Sequence, residues 1–156
     1  MRTVRLPRFP VEGGCQCGQL RYRLTARPVM FYLCHCTECQ RHTSSAFGES
    51  LRCRREDVDI SGQYRTVSRV AESGRVREGL FCPQCGVRVW HGSQGIALGN
   101  IKAGTLDDTS WLVPAGHIWT RSKQPFMVIG EDELSWPQQP DDGYEAIRNR
   151  WEEMTR

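Results

Sequence analysis

No stretch of this chain approaches the ~18 consecutive apolar residues that cross a bilayer. The N-terminus, MRTVRLPRFPVEGG, carries arginines but no apolar run of signal-peptide length. These two absences predict no membrane span and a cytoplasmic home. Internal repeats, linkers and low-complexity runs are missing too, so the 156 residues predict a single domain, 1–156. Charge of one sign is scarce: 21 Lys+Arg against 18 Asp+Glu leave +3, a weak hint of nucleic-acid binding. Long helical periods are few and the hydrophobic fraction, 38%, is modest. With 15 glycines and 8 prolines, that profile predicts short strands and turns held by something besides apolar burial.

Cysteine is what the chain has in excess, eight in all. In a reducing compartment stable disulfides are unusual, and clustered cysteines bind metal. Seven fall into three groups: Cys15-x-Cys17, Cys34-x-Cys36-x2-Cys39 and Cys82-x2-Cys85. The eighth, Cys53, stands alone in a strand and reads as a small apolar filler. Seven thiolates on two Zn²⁺ ions would bring the formal +3 to zero, which removes the electrostatic argument for nucleic acid.

CPQCG is the strongest local signal. Two thiols spaced in this way grip one ion, and Gly86 permits the backbone turn that follows. Structural zinc takes four ligands, so a second pair must come from elsewhere. Pairing Cys36 and Cys39 with Cys82 and Cys85 makes an ordinary zinc ribbon but leaves Cys15, Cys17 and Cys34 unused. Pairing Cys15 and Cys17 with Cys82 and Cys85 leaves Cys34, Cys36 and Cys39 as a compact trio. The second arrangement employs all seven in two sites and is preferred on economy. A three-cysteine zinc has an open position, the mark of catalytic zinc. With three thiolates it is a poor activator of water and a good holder of an incoming thiol, whose pKa it lowers.

The four histidines compete for roles. His35, wedged between two cysteines, is the rival fourth ligand, although reaching the same ion would strain the loop. His42 is a residue to tune the trio from outside or simply an exposed loop histidine. His91 is read as structural. His117, in PAGHIWT, is the candidate acid/base group, against the plainer reading of a hydrogen-bonded histidine at a strand start.

Along the chain, Leu20, Tyr22 and Leu24 alternate with polar residues, a strand period. VEGG reads as the turn before it. ARPVMFYLCHC predicts a second strand and RHTSSAFGES a polar loop. ESLRCRREDVDISG holds a third strand, with Leu51 and Cys53 on one side. QYRTVSRVAESG and RVREGLFC form a hairpin about Glu72-Ser73-Gly74, and VRVWHG continues as a strand. GIALGNIKAGTL reads as a strand pair or meander, and HIWTRSKQPFMVI as a strand after a loop. In the tail, 141–156, Tyr144, Ile147, Trp151 and Met154 share one helix face, with Asp141 or Asp142 to cap it. This helix closes over the sheet or makes a homodimer contact. The outline is a mainly β domain with a C-terminal helix.

GGCQCGQLRY, CHCTECQRHTSSAFGE, LFCPQCGVRVW and LDDTSWLVPAGHIWTRSKQP occur in this order. Together, over about residues 11–137, they resemble the glutathione-dependent formaldehyde-activating (GFA) family, which also includes centromere protein V. The resemblance implies a β-tent fold of small antiparallel sheets pinned by zinc. It implies a structural zinc on Cys15, Cys17, Cys82 and Cys85 and a catalytic zinc on Cys34, Cys36 and Cys39. It also implies a carbon–sulfur lyase chemistry that joins glutathione and formaldehyde. On that reading His117, Ser44 or Ser45 protonates the developing alkoxide, and Arg41 pairs with a carboxylate of the thiol or offsets the charge of the metal site. The chain is shorter than the glutathione enzymes. His35 and Gln40-Arg41 stand where those enzymes carry a small residue and an aromatic, so the fold and zinc ligands carry over better than the substrate. The competing expectations are a non-catalytic interaction module with two structural zinc ions, and zinc storage or redox sensing through the trio.

Overall fold

The computed structural model describes residues 1–71 and 74–156. Glu72 and Ser73, the first two positions of the expected hairpin turn, lie outside the described residues. The chain forms two compact units: Met1–Leu6, Val29–Ser50 and Trp111–Arg156 in one, Pro7–Pro28 and Leu51–Ser110 in the other. Strands dominate the second unit, as its short alternating runs and turn residues require, whereas the first also carries both helices.

In the first unit, β3 (Met30–Cys34) is buried at every position. A strand of continuous apolar character is buried on both faces. β10 (His117–Ile118) pairs with it in parallel, setting His117 opposite Leu33 and Ile118 opposite Cys34. β4 (Gly48–Arg54) begins in this unit and ends in the other. The helix α2 (Glu145–Met154) buries Ile147, Trp151 and Met154. Trp151 meets Phe31 edge-on at 6.4 Å, and burying an aromatic of this size is worth about 1.5–3 kcal/mol. The expected helix face holds from Ile147 onward, but Tyr144 is the N-cap, in a left-handed conformation, with its ring against Tyr32. Asp142 performs the capping chemistry, accepting from the N–H groups of Tyr144 and Ala146.

In the second unit, β1 (Val11–Gly14), β2 (Arg21–Leu24) and β5 (Val58–Ser61) form a three-stranded antiparallel sheet in the order β1-β2-β5. VEGG, expected to belong to the turn that feeds β2, is therefore a strand. β6 (Arg65–Val70), β7 (Val76–Phe81), β8 (Arg88–Ser93) and β9 (Leu98–Lys102) make an antiparallel meander. Leu20, Tyr22, Leu24, Leu51, Cys53, Val89 and Ile101 are its buried centre. Cys53 is fully buried, and burial pushes its thiol up to about 12.

Three local expectations fail. The polar run after the trio is not all loop, because Thr37–Thr43 is a helix, α1. It buries no residue, so it has no apolar period to read. GIALGNIKAGTL holds one strand, β9, and then a 3-10 turn at Ala103–Thr105. HIWTRSKQPFMVI is a strand for two residues only, because Trp119 turns left-handed (φ 59°) and a 3-10 turn at Thr120–Ser122 follows.

Candidate functional site

The second unit gathers four thiols. Cys15 and Cys17 follow β1, and Cys82 and Cys85 join β7 to β8. Each pair is a tight turn that ends in glycine. Gly18 and Gly86, next after the second cysteine of each pair, donate to the carbonyls of Cys15 and Cys82. Both sit at positive φ, +82° and +80°, where a side chain would strain the backbone. The four sulfurs lie within 4.8 Å of one another. Cys15 and Cys17 are 3.6 Å apart, and Cys17 and Cys82 3.7 Å. Tetrahedral zinc with Zn–S bonds near 2.3 Å sets sulfurs about 3.8 Å apart, so the spacing suits that ion.

Amide donors support negative sulfur in this cluster. The N–H of Leu20 points at the Cys15 sulfur (3.3 Å) and the N–H of Cys85 at Cys82 (3.4 Å). The side-chain amide of Gln19 reaches the Cys82 sulfur at 3.0 Å. Burial works against ionisation of Cys82, but the donors from Cys85, Gln19 and Gln84 outweigh it and hold the thiol at about 6.

The first unit gathers the trio. Cys34 ends β3, Cys36 is the N-cap of α1, and Cys39 sits in the first turn of that helix. The Cys39 N–H donates to the Cys36 sulfur at 3.3 Å. The three sulfurs lie within 4.8 Å of one another, and no fourth His, Cys, Asp or Glu joins them among the described residues. Thiol hydrogen bonds from Cys34 and Cys39 hold Cys36 far below the usual thiol range. Sharing those bonds, together with burial, drives Cys34 far above it. Three thiolates packed in this space repel one another and require a cation. The donor set therefore fits a thiophilic metal.

His35 is not a member of the trio. Its side chain is fully buried, and its Nε2 meets Nδ1 of His117 at 3.0 Å with the rings stacked. Burial, then the neighbouring His117 and Lys123, lowers His35 to about 4, and burial lowers His117 as well. Nε2 of His117 faces a Glu133 oxygen at 4.0 Å. His117 is thus a buried partner of His35, itself only 5% exposed. His42 is exposed. His91, for which the sequence offers no partner, lies beside Asn100 (3.2 Å) and Lys102 (3.4 Å) in the second unit.

A cleft of 650 Å³ opens along α1, lined by the polar Thr37, Gln40, Arg41, Ser44 and Ser45 and by Phe47, Phe126 and Met127 among others. Arg41, Ser44 and Ser45, singled out in the sequence, meet here. The three cysteines are not among the lining residues, but Thr37 directly follows Cys36 and Gln40 directly follows Cys39. Gln40 ties this wall together. Its amide donates to the carbonyls of His35 and Ser122, both at 2.8 Å, and its oxygen accepts from Gln124 at 3.0 Å. Sequence reasoning missed Gln19, Gln40 and Glu133, because an amide or carboxylate acting across 16 to 82 residues leaves no local spacing to detect.

A β-rich chain with one four-thiol and one three-thiol cluster, each able to hold a metal ion, defines the class of protein. This chain belongs to the glutathione-dependent formaldehyde-activating enzyme family, whose pattern matches residues 10–122. No curated protein matches the chain. A Rhodobacter sphaeroides protein of known crystal structure is similar in fold, with a TM-score of 0.51 at 15% identity over 64% of this chain and 90% of that one.

Proposed function

We propose that the protein is a zinc-dependent enzyme that joins or cleaves a thiol and a small aldehyde. Cys15, Cys17, Cys82 and Cys85 hold a structural ion, and Cys34, Cys36 and Cys39 hold the catalytic one. The observation that carries this reading is the ligand count: three clustered sulfurs with no fourth protein donor among the described residues. Zinc on the trio supplies, when bound, the positive charge that keeps an incoming thiol deprotonated near neutral pH.

The chain's own residues do the rest. Arg41 offers the thiol substrate's carboxylate a charged anchor on the cleft wall. Holding thiol and aldehyde together converts a bimolecular attack into a local one. A carbon–sulfur bond forms as the carbonyl π bond opens, and the oxygen takes a proton; cleavage is the same path reversed. Ser44 and Ser45, exposed on the cleft, donate hydrogen bonds to the oxygen as its charge grows, and water delivers the proton. His117 is buried against His35, which favours a positioning role over direct proton donation. No helix among the described residues is long and apolar enough to cross a membrane. None of the eight cysteines is in a disulfide, which suits a reducing cytoplasm.

Zinc-edge X-ray absorption with metal stoichiometry, with and without glutathione, tests the reading. Two zinc ions per chain and a rise in mean sulfur coordination on adding glutathione are expected. One zinc, or two with an unchanged shell, would shift the assignment to a non-catalytic interaction module.

A further inference from the structure

We propose that the cleft along α1 binds a small organic acid with an apolar end, and that the substrate processed at the trio belongs to this class. The second clause rests on the enzymatic reading above; the first does not.

Size is the first reason. Formaldehyde has two heavy atoms, whereas a cleft of 650 Å³ lies in the range that receives whole metabolites. Chemistry is the second. The lining offers Arg41, Thr37, Ser44 and Ser45 as its polar part, and Phe47, Phe126 and Met127 as an apolar wall. Arg41 makes no ion pair among the described residues, so its guanidinium is available to a carboxylate. Phe126 is 71% exposed and Val128, two residues on, 85%. Covering such a ring removes a large apolar area from water. A thiol or aldehyde with no apolar group would leave that wall uncontacted.

The third reason is that the walls are held in place. Gln40, on α1, ties the helix to the segment that carries Gln124 and Phe126, through the Ser122 carbonyl and Gln124. The Lys123 ammonium donates to the Met127 carbonyl at 2.7 Å and fixes the turn that carries Phe126. A site already shaped before binding loses little entropy on receiving its ligand.

The test uses the full-length, zinc-loaded protein and two probes of matched size, 3-phenylpropanoate and 3-phenylpropan-1-ol, titrated by amide NMR. Shifts should centre on Thr37, Arg41, Ser44, Ser45, Phe126 and Met127, with the acid bound about tenfold tighter than the alcohol. Arg41→Gln should erase that preference, Arg41→Lys retain part of it, and Phe126→Ser weaken both probes by about fivefold. Equal affinity for the two probes, shifts centred elsewhere, or no shifts at all would overturn the cleft assignment. Condensation of glutathione, with formaldehyde and with the aryl aldehyde acid 3-(4-formylphenyl)propanoate, is assayed separately by loss of free thiol. No turnover with intact probe binding refutes the enzymatic reading and leaves the cleft standing. Turnover without probe binding does the reverse.

Discussion

Nε2 of His35 lies 3.0 Å from Nδ1 of His117, and both residues are buried. One nitrogen must donate and the other accept, so the two tautomers are set together. His117→Phe should leave His35 Nε2 buried without a partner and cost about 1–3 kcal/mol in urea unfolding. His117→Gln, which can still bond, should recover part of the loss, and zinc content should be unchanged in both. Equal stability of the Phe and Gln variants would remove the hydrogen bond from the account.

The two thiol clusters should differ in what their loss does. Cys82→Ser should lower zinc from two ions per chain to one and drop the melting temperature by about 10 °C, since structural zinc contributes several kcal/mol of folding energy. Cys36→Ser should also remove one zinc, abolish thiol condensation and shift melting far less. Metal analysis with calorimetry decides; matched melting losses would make both sites structural.

Gln40 should matter to both stability and turnover. Gln40→Leu deletes three hydrogen bonds to His35, Ser122 and Gln124 and leaves their buried groups to find water. A loss of about 1–3 kcal/mol is expected. Its effect on condensation should fall on KM, because the residue shapes the cleft. A change confined to kcat would place Gln40 nearer the reacting atoms.

His91 should make stability depend on pH. Burial first, then the cations Lys102, Arg88, Arg77 and Arg52, hold its folded pKa well below the unfolded value near 6.5. The folded state thus binds fewer protons, so this contribution is complete above pH 6.5 and is lost as pH falls toward the folded value. Wild type should lose about 1 kcal/mol per pH unit below 6.5 relative to His91→Gln. Parallel stability curves for the two proteins between pH 7.5 and 5 would contradict it.

Much of this site was legible because its signals are local. A cysteine pair followed by a glycine is a turn that presents two sulfurs, wherever it occurs, and Cys15-x-Cys17-Gly18 and Cys82-x2-Cys85-Gly86 both meet that description. The alternation of Leu20, Tyr22 and Leu24 likewise declares its strand, β2, and Ile147, Trp151 and Met154 their helix. α1 escaped because helices that bury nothing carry no periodicity, and β10 was overextended because the left-handed turn at Trp119 has no glycine to announce it.

From residue order alone came the mainly β character, the seven grouped thiols and the Arg41, Ser44 and Ser45 stretch that proves to line a cleft. Tertiary structure decided which thiols share a site, because two pairings had equally good spacing and only the path of the chain between Cys17 and Cys82 brings their sulfurs to 3.7 Å. It also decided that His35 turns from the trio to His117, and that Gln19 and Gln40 serve residues far along the chain. Such contacts depend on directions in space, and a linear order of residues does not contain them.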